Sequence, residues 1–229
     1  MTNAIILAAG LGSRMRPITD YCHKALIIVN GKPLIEHQIE VYISHQVTNI
    51  FIVAGYRWED FLYLEEKFQN VKIILNKNYK KYNNFYSIFL LKDALSDCYI
   101  SEGDIYFKKN VKLVKFDGKS RYFVKRNSNH KKEWRVFADL FGKINMIKID
   151  YSFNQEIACG ITYLNQHDGD LLSKELSRLD FDTLSNPQAY WDEYLIENLS
   201  ELSLYRSKIN DEDIFEIDDA NDLMQLLKN

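Results

Sequence analysis

The sequence predicts an α/β fold in which a mixed, mostly parallel central sheet is flanked by helices. Three observations favour this fold class. Short apolar runs alternate with segments of helical period over the first hundred residues, which is typical of parallel strands joined by crossover helices. The 229 residues are enough for one well-buried core, and 46% of them are hydrophobic. Only 9 Gly and 3 Pro occur, which excludes a linker-rich array or a disordered chain.

The first half of the chain supplies the predicted parallel strands. These cover residues 3–7, 49–53, 72–75 and 98–101. Helices are predicted between them over residues 33–44, which begin with Pro33, and over 58–67 and 85–95. Every second element is thus a strand, as a βαβ series requires.

The second half is richer in strands. Asp117-Gly118 predicts a hairpin turn, and strands are expected over residues 121–124, 135–137, 144–149 and 157–164. Helices follow over 171–179 and 190–199, then a short strand over 214–216 and a helix over 220–227. We interpret residues 1–229 as a single domain, in which a small β-rich insertion covers about residues 119–165.

Composition excludes several classes of function. A net charge of -3 gives no overall attraction to nucleic acid, and the basic segment at 119–135 favours a solvated hairpin over a nucleic-acid groove. The three scattered cysteines indicate a reducing compartment, and the apolar stretch at 4–11 is too short to enter a membrane as a span. We therefore expect a cytoplasmic location. Metalloprotease and serine-hydrolase motifs do not occur.

The most informative stretch follows the first strand. Two glycines with small neighbours allow backbone amides to approach a phosphate closely, and the residues concerned are Leu7, Ala8, Ala9, Gly10, Gly12, Ser13 and Arg14. It is not a P-loop, and Met15 occupies the third glycine position of a dinucleotide fingerprint. Arg14, Arg16 and Lys24 could face a triphosphate. The alternative is a glycine turn flanked by solvated charges.

Three acidic residues are candidates for binding a metal. Asp104 follows a predicted sheet strand at the edge where α/β sheets bind ligands, and Asp218 and Asp192 offer further carboxylates. The alternative is that Asp192 and the pair Asp218-Asp219 cap helices, and the residues alone favour caps.

Aromatic residues alternate with polar ones around residues 82–87, 133–134 and 190–192. Such clusters beside an acid can hold an ammonium group by cation–π attraction, although core packing is the default interpretation in so aromatic a chain. Asn83 and Asn84 carry amides that could read the edge of a nucleobase.

These motifs resemble those of the nucleotidyltransferases that begin with L-A-A-G-x-G-x-R and continue with P, T and a P-K pair. Here the matching residues are 7–14, Pro17, Thr19 and Lys24, with His23 in place of the usual proline. Within that superfamily the chain resembles bacterial CTP:phosphocholine cytidylyltransferases of the LicC type over nearly its whole length. The matching segments are residues 82–87, 190–192 and 216–218.

The resemblance implies a Rossmann-like nucleotidyltransferase fold and transfer of CMP from CTP to phosphocholine. It implies that Asp104 and Asp218 bind magnesium, that Arg14, Lys24 and Asp104 are catalytic, and that Asn83 and Ser87 help to hold the base. The expected walls of the cation pocket are Trp134, Tyr190 and Trp191, with Asp192 as counter-ion or metal ligand. Glu102 departs from the family's D-A-D pattern at residues 102–104.

Three alternatives remain open from the sequence. The acceptor could be phosphoethanolamine, 2-aminoethylphosphonate or another phosphorylated amine. Alternatively, His23 and Glu102 could mark a nucleotide-binding protein without catalysis. A nicotinamide-dependent oxidoreductase is disfavoured by Met15. No nucleic acid partner and no membrane insertion are expected, and the oligomeric state is left open.

Overall fold

The computed structural model describes residues 1–113, 116–126, 131–180 and 186–228. Thirteen strands are formed by described residues, and their bounds are β1 (Asn3–Ala8), β2 (Ile28–Val29), β3 (Lys32–Pro33), β4 (Asn49–Ala54), β5 (Val71–Leu75), β6 (Cys98–Glu102), β7 (Ile105–Phe107), β8 (Ser120–Arg126), β9 (Lys131–Ala138), β10 (Ile144–Ser152), β11 (Glu156–Leu164), β12 (Leu204–Lys208) and β13 (Ile214–Glu216). The helices are α1 (Ile18–Tyr21), α2 (Leu34–Ser44), α3 (Tyr63–Lys67), α4 (Asn84–Phe89), α5 (Gln166–Leu176), α6 (Trp191–Glu197) and α7 (Ala220–Lys228).

The central sheet confirms the predicted fold class. Strands β5, β4, β1 and β6 lie side by side and parallel, and β11 joins β6 in the antiparallel direction. Alternate residues of β1 face opposite sides of this sheet. Ala4 and Ile6 pack in the same cluster as Ile35 and Ile39 of α2, whereas Ile5 lies in a second cluster with residues of α4, α5 and α6. A parallel strand covered on both faces is a continuous apolar run, which is why β1 was predictable.

The β-rich part is organised differently from the sequence prediction. Asp117 and Gly118 lie in a 3-10 turn, and β8 pairs with β11 and β12 rather than with the strand before the turn. The hairpin prediction was therefore wrong. Gly160 has φ +68° within β11, where the register with β8 shifts between Ala158 and Thr162. The first half of β11 consequently leaves β6 and contacts β9 instead.

Two helices are shorter than predicted, and four strands were not predicted. Residues 58–67 form a 3-10 turn followed by α3, and 85–95 form α4 followed by a 3-10 turn. β2 and β3 form a hairpin around Asn30 and Gly31, which both have positive φ, and β7 and β12 were also missed. Of the segment predicted to be a basic hairpin, residues 127–130 lie outside the described residues. In the described part of the chain, every helix is too short or too polar to span a bilayer.

Gly169 of α5 provides a stability prediction. A Cβ at this position would lie 2.1 Å from the carbonyl oxygen of Leu95 and 2.8 Å from the Cα of Ser96. Because both are backbone atoms that cannot move aside cheaply, Gly169→Ala should destabilise the fold by about 1–3 kcal/mol, although alanine favours helix. Urea unfolding measures this, with Lys174→Ala on the exposed face of α5 as control. A gain in stability at Gly169 would contradict the packing described.

Candidate active site

In the loop after β1, carbonyl oxygens accept hydrogen bonds from the rest of the protein, so the amides of this loop face solvent. Tyr56 N donates to Ala9 O (3.2 Å), and the Thr19 hydroxyl donates to Gly12 O (2.9 Å). Gly12 has φ +61°, and a Cβ there would lie 2.9 Å from Thr19 Cγ2. Leu7 and Ala8 are buried in β1, whereas Gly10, Ser13 and Arg14 are exposed. This geometry suits an anion, because carbonyls turned inward leave amides facing outward.

Lys24 reaches both predicted metal ligands from a 3-10 turn. Its ammonium lies 2.7 Å from Asp104 Oδ2 and 3.6 Å from Asp218 Oδ1, and the residue is 8% exposed. Arg14 donates to the same oxygen of Asp218 at 2.6 Å. A buried ammonium is tolerated only when acids pair with it, so the carboxylates compensate the burial of Lys24. The structure thus brings Arg14, Lys24, Asp104 and Asp218 together.

The turn between β6 and β7 positions Asp104. Gly103 N donates to Leu7 O at 2.9 Å, and a Cβ on Gly103 would lie 2.9 Å from that oxygen, so only glycine allows this approach to β1. The buried amide of Gln38 in α2 donates to the carbonyls of Glu102 (2.9 Å) and Ile105 (2.7 Å). Both ends of the turn are therefore fixed to the helix and sheet beneath it.

Asp218 is delivered by a second, two-stranded sheet. β13 pairs antiparallel with β7, with Glu216 opposite Ile105, and Ile217 N donates to Asp104 O at 3.0 Å. The cap alternative holds for Asp219, whose carboxylate accepts from Asn221 N and Asp222 N at the start of α7. Asp218 instead turns its carboxylate to Arg14 and Lys24.

The carboxylate pair has the character of a metal site. Asp104 Oδ1 is buried and has no hydrogen-bond partner among the described residues, and Asp218 lies on the other side of the Lys24 ammonium. No cluster of three His, Cys, Asp or Glu side chains able to hold a metal occurs in the described part of the chain. Two carboxylates completed by phosphate oxygens and water are nevertheless a common ligand set for Mg²⁺. The residues present therefore fit such an ion.

Two further acidic residues, Glu102 and Glu216, lie near Asp104 and Asp218. Protein surrounds Glu102, and this burial raises its pKa well above the usual range, with the charges of Asp104 and then Asp192 adding to the effect. Part of Glu216 is open to solvent, but desolvation by the surrounding protein, followed by the charges of Asp104 and Asp218, raises its pKa to about 7. Crowded acids of this kind favour a bound cation, either a metal ion or an ammonium group.

Asp192 belongs to the side of the site formed by α6 and β8. It is the second residue of α6, and its Oδ1 accepts from the Tyr122 hydroxyl at 2.6 Å. Burial raises the pKa of Asp192, and the hydrogen bond from Tyr122 opposes that shift. No sequence signal marked Tyr122, which is an ordinary aromatic residue of a strand until β8 is placed beside α6.

The predicted aromatic walls occupy three different environments. Trp134 is half-buried against the second core cluster, and Tyr190, which caps α6, is 49% exposed. Trp191 is 2% exposed and packs among the residues of that cluster. Its predicted role as a wall of the cation pocket gains no support from this packing and stays a prediction, since the indole lies among core side chains at the start of α6.

The side chains of Asn83 and Ser87 both form hydrogen bonds with other groups of the protein. The Asn83 side chain accepts from Asn84 N, as the cap of α4, and donates to Gln188 O at 3.0 Å. Ser87 is 1% exposed, and its hydroxyl oxygen accepts from Asn76 at 3.1 Å. Protein groups engage both side chains, so their predicted role in base binding gains no support from these contacts and stays a prediction.

Asn84 makes a link that the sequence did not reveal. Its amide nitrogen donates to Glu102 Oε1 at 2.8 Å, and its amide oxygen accepts from Trp191 N at 2.7 Å. The end of β6 and the start of α6 are joined through this one side chain. A base-reading role was expected for its amide, but both ends of that amide bind protein groups.

Comparison with known proteins places this geometry in a family. Residues 4–97 match the model of the MobA-like NTP transferase domain. The chain is 35% identical over 227 residues to the choline-phosphate cytidylyltransferase of Haemophilus influenzae, covering 99% of this chain and 96% of that protein. It is 33% identical to the 2-aminoethylphosphonate cytidylyltransferase of Lancefieldella rimae, covering 97% and 90%.

A solved structure agrees over the whole chain. The CTP:phosphocholine cytidylyltransferase LicC of Streptococcus pneumoniae superposes with a TM-score of 0.92 at 33% identity, covering 100% of this chain and 99% of that one. The resemblance read from the motifs is thereby confirmed. The chain is an enzyme of the nucleotidyltransferase superfamily and belongs to the LicC-type family of choline-phosphate cytidylyltransferases.

Proposed function

We propose that this enzyme transfers CMP from CTP to phosphocholine, giving CDP-choline and pyrophosphate. The observation that carries the proposal is the convergence of Lys24 with Asp104 and Asp218 beside a loop whose amides face outward. The outward amides and Lys24 suit a polyphosphate, and the carboxylates of Asp104 and Asp218 suit a cation that neutralises it. Relatives that share the full length of the chain are named for this reaction or a close variant.

The nucleotide side follows from the glycine loop. Outward amides around residues 10–13, with Arg14 and Lys24, would hold the triphosphate and neutralise charge on the departing pyrophosphate. The bond from Lys24 to Asp104 holds the ammonium in position, so binding a triphosphate costs little further ordering of this side chain. Arg14 adds a forked donor at the exposed rim of the site.

The reaction is a single in-line displacement. A phosphate oxygen of the acceptor attacks the α-phosphorus of CTP, a new P–O bond forms, the bond to the β-phosphate oxygen breaks, and pyrophosphate leaves with that electron pair. Asp104 and Asp218 would hold magnesium. When bound, the ion would reduce the repulsion between the two phosphate groups. The residues of this chain orient the two substrates and neutralise the charge of their phosphate groups. No covalent intermediate with the enzyme is required.

The β-rich part forms the acceptor side in this proposal. Asp192, oriented by Tyr122, would face the ammonium group of the acceptor, with Trp134 and Tyr190 as aromatic surfaces around it. A second acceptor class is favoured by a specific observation. The burial of Trp191 removes one aromatic face while Glu102 and Asp192 add acidic oxygens, which suits a primary ammonium such as that of phosphoethanolamine or 2-aminoethylphosphonate.

An acceptor panel tests the proposal. Pyrophosphate release is measured with CTP or UTP, magnesium, and each of phosphocholine, phosphoethanolamine and 2-aminoethylphosphonate. The proposal expects the highest kcat/KM with CTP and phosphocholine. A higher value for either primary amine would transfer the assignment to the second acceptor class. No turnover with any pair, despite CTP binding, would leave only the non-catalytic alternative.

The link through Asn84 gives a prediction on the acceptor side. Asn84→Ala removes the bridge between Glu102 and the start of α6, so Asp192 should lose its position. Loss of about 1–2 kcal/mol predicts an acceptor KM raised about 5–30-fold. The KM for CTP should change less than about threefold, because the glycine loop is untouched. Steady-state kinetics with each substrate varied measures both values.

A control for this prediction lies at the other end of α6. Asn198 donates its amide to Tyr194 O at 2.8 Å at the far end of α6, and Asn198→Ala should leave both KM values unchanged. Equal effects of the two alanine variants on the acceptor KM would show that Asn84 only stabilises the helix.

A further inference from the structure

His23 joins the two chain segments that approach the nucleotide. Its Nδ1 accepts from Ala25 N at 3.1 Å, so the proton of the neutral ring lies on Nε2, which donates to Gly10 O at 3.1 Å. The residue is 4% exposed, and its ring makes an edge contact with Phe61 at 4.8 Å between centroids. Both ring nitrogens are thus committed, and the packing leaves the ring one orientation.

The bond to Gly10 fixes the direction of a loop amide. In a trans peptide the carbonyl and the following N–H point in opposite directions. Since Gly10 O is turned inward to His23, the N–H of Leu11 is turned outward. Leu11 is exposed, and within the described residues its amide donates no hydrogen bond. A free outward amide beside Gly12 is a donor available to a phosphate oxygen.

The bond from Ala25 fixes the second segment. The His23 side chain caps the 3-10 turn formed by Lys24–Leu26, and Lys24 extends from this turn to Asp104. One imidazole therefore sets the spacing between an outward amide and a buried ammonium. These two donors are the groups assigned to the triphosphate above.

The surroundings of His23 keep its ring neutral. Burial is the main cause that lowers its pKa to about 4, and the nearby positive charges of Lys24 and Arg57 act in the same direction. The bond to Gly10 and the charge of Asp60 oppose the shift. The ring therefore stays neutral near pH 7, with one donor and one acceptor, which both of its hydrogen bonds require.

We propose that His23 is a positioning residue for the triphosphate, which holds the Leu11 amide and the Lys24 ammonium at a fixed spacing through its bonds to Gly10 O and Ala25 N. The inference rests on the proposed function only for the identity of the nucleotide. It requires no contact between His23 and substrate.

Three variants separate the two bonds. His23→Phe keeps the ring packing on Phe61 and removes both bonds. His23→Asn keeps an acceptor for Ala25 N but is too short to reach Gly10, whereas His23→Gln can extend an amide donor towards Gly10. The matched control is His37→Phe, because His37 also binds a backbone carbonyl (Val29 O, 2.8 Å) and also makes an edge contact with an aromatic ring, that of Tyr106 at 4.8 Å.

Binding is measured by calorimetric titration with CTP and with inorganic tripolyphosphate, so the result does not depend on which acceptor is used. His23→Phe should weaken both ligands about 5–30-fold and raise the CTP KM while the acceptor KM stays within about twofold. His23→Gln should restore at least half of the lost affinity on a logarithmic scale, and His37→Phe should bind as the wild type does.

Two results would overturn the inference. One is a folded His23→Phe variant with wild-type affinity for tripolyphosphate. The other applies even if His23→Phe does not fold: equal affinities of the Gln and Asn variants would show that the bond to Gly10 is irrelevant. Failure of the proposed function looks different, since the wild type would then bind CTP without turning over any acceptor.

Discussion

Asp104→Asn will lower kcat at least about 10³-fold while the protein stays folded. The substitution keeps the shape of the side chain but removes the charge that faces Lys24 at 2.7 Å, and it replaces one acidic oxygen by an amide that cannot bind a divalent cation well. The lost charge beside a buried ammonium costs some stability, but Asp218 still faces Lys24 at 3.6 Å, so the fold should persist and the larger effect should fall on turnover. Pyrophosphate release at saturating substrates measures kcat, and urea unfolding checks the fold.

A surface pair provides the control for Asp104. Lys32 lies 2.6 Å from Glu40 on the exposed side of α2, and Glu40→Gln removes an ion pair of the same length away from the site. Its kcat should be that of the wild type. If Asp104→Asn kept more than a tenth of the wild-type kcat, the assignment of Asp104 as a catalytic ligand would be wrong. CTP binding insensitive to magnesium in both proteins would favour the non-catalytic alternative.

Lys24→Met will lower kcat about 10²–10³-fold and raise the KM for CTP, because the ammonium that neutralises the leaving pyrophosphate is gone. Methionine has a similar length and fills the buried space that Lys24 occupies. Asp104 and Asp218 then face each other without the cation between them. Lys24→Arg should rescue little, because the planar guanidinium does not fit a pocket shaped for a compact ammonium.

A double variant separates the two roles of Lys24. Asp218→Asn in the Lys24→Met background removes one of the repelling charges, so CTP binding should recover partly while kcat stays low. Lys32→Met serves as the surface control. Recovery of kcat itself in the double variant would show that Lys24 only compensates the acids and does not act on the nucleotide.

Much of the parallel sheet could be predicted because its signals are local. β1 and β4 are continuous apolar runs covered on both faces, and their observed bounds differ from the prediction by one residue. The glycine loop was predictable for the same reason, since the requirement for Gly12 comes from neighbours within twelve residues along the chain, Thr19 and Lys24. The Asn30-Gly31 hairpin had a strong turn signal that the prediction did not use.

The remainder of the site depends on pairings that no local pattern encodes. The turn at Asp117 was taken for a hairpin because the partners of β8 lie 30–42 and 84 residues further along the chain. Trp191 was assigned to a pocket because motif spacing does not show which face of α6 is buried. The roles of Asn84 and Tyr122 appear only when α6 is placed against β6 and β8.

The pairing of β7 with β13 has a consequence for the way activity is lost. Only three residues on each strand form this ladder, yet it carries Asp218 to Asp104 across 114 positions of the chain. A ladder this short opens at a lower free energy than the central sheet, which has nine strands among the described residues. Mild denaturant should therefore abolish catalysis before the tryptophan signal of global unfolding changes, and amide exchange at residues 214–217 should be faster than in β1.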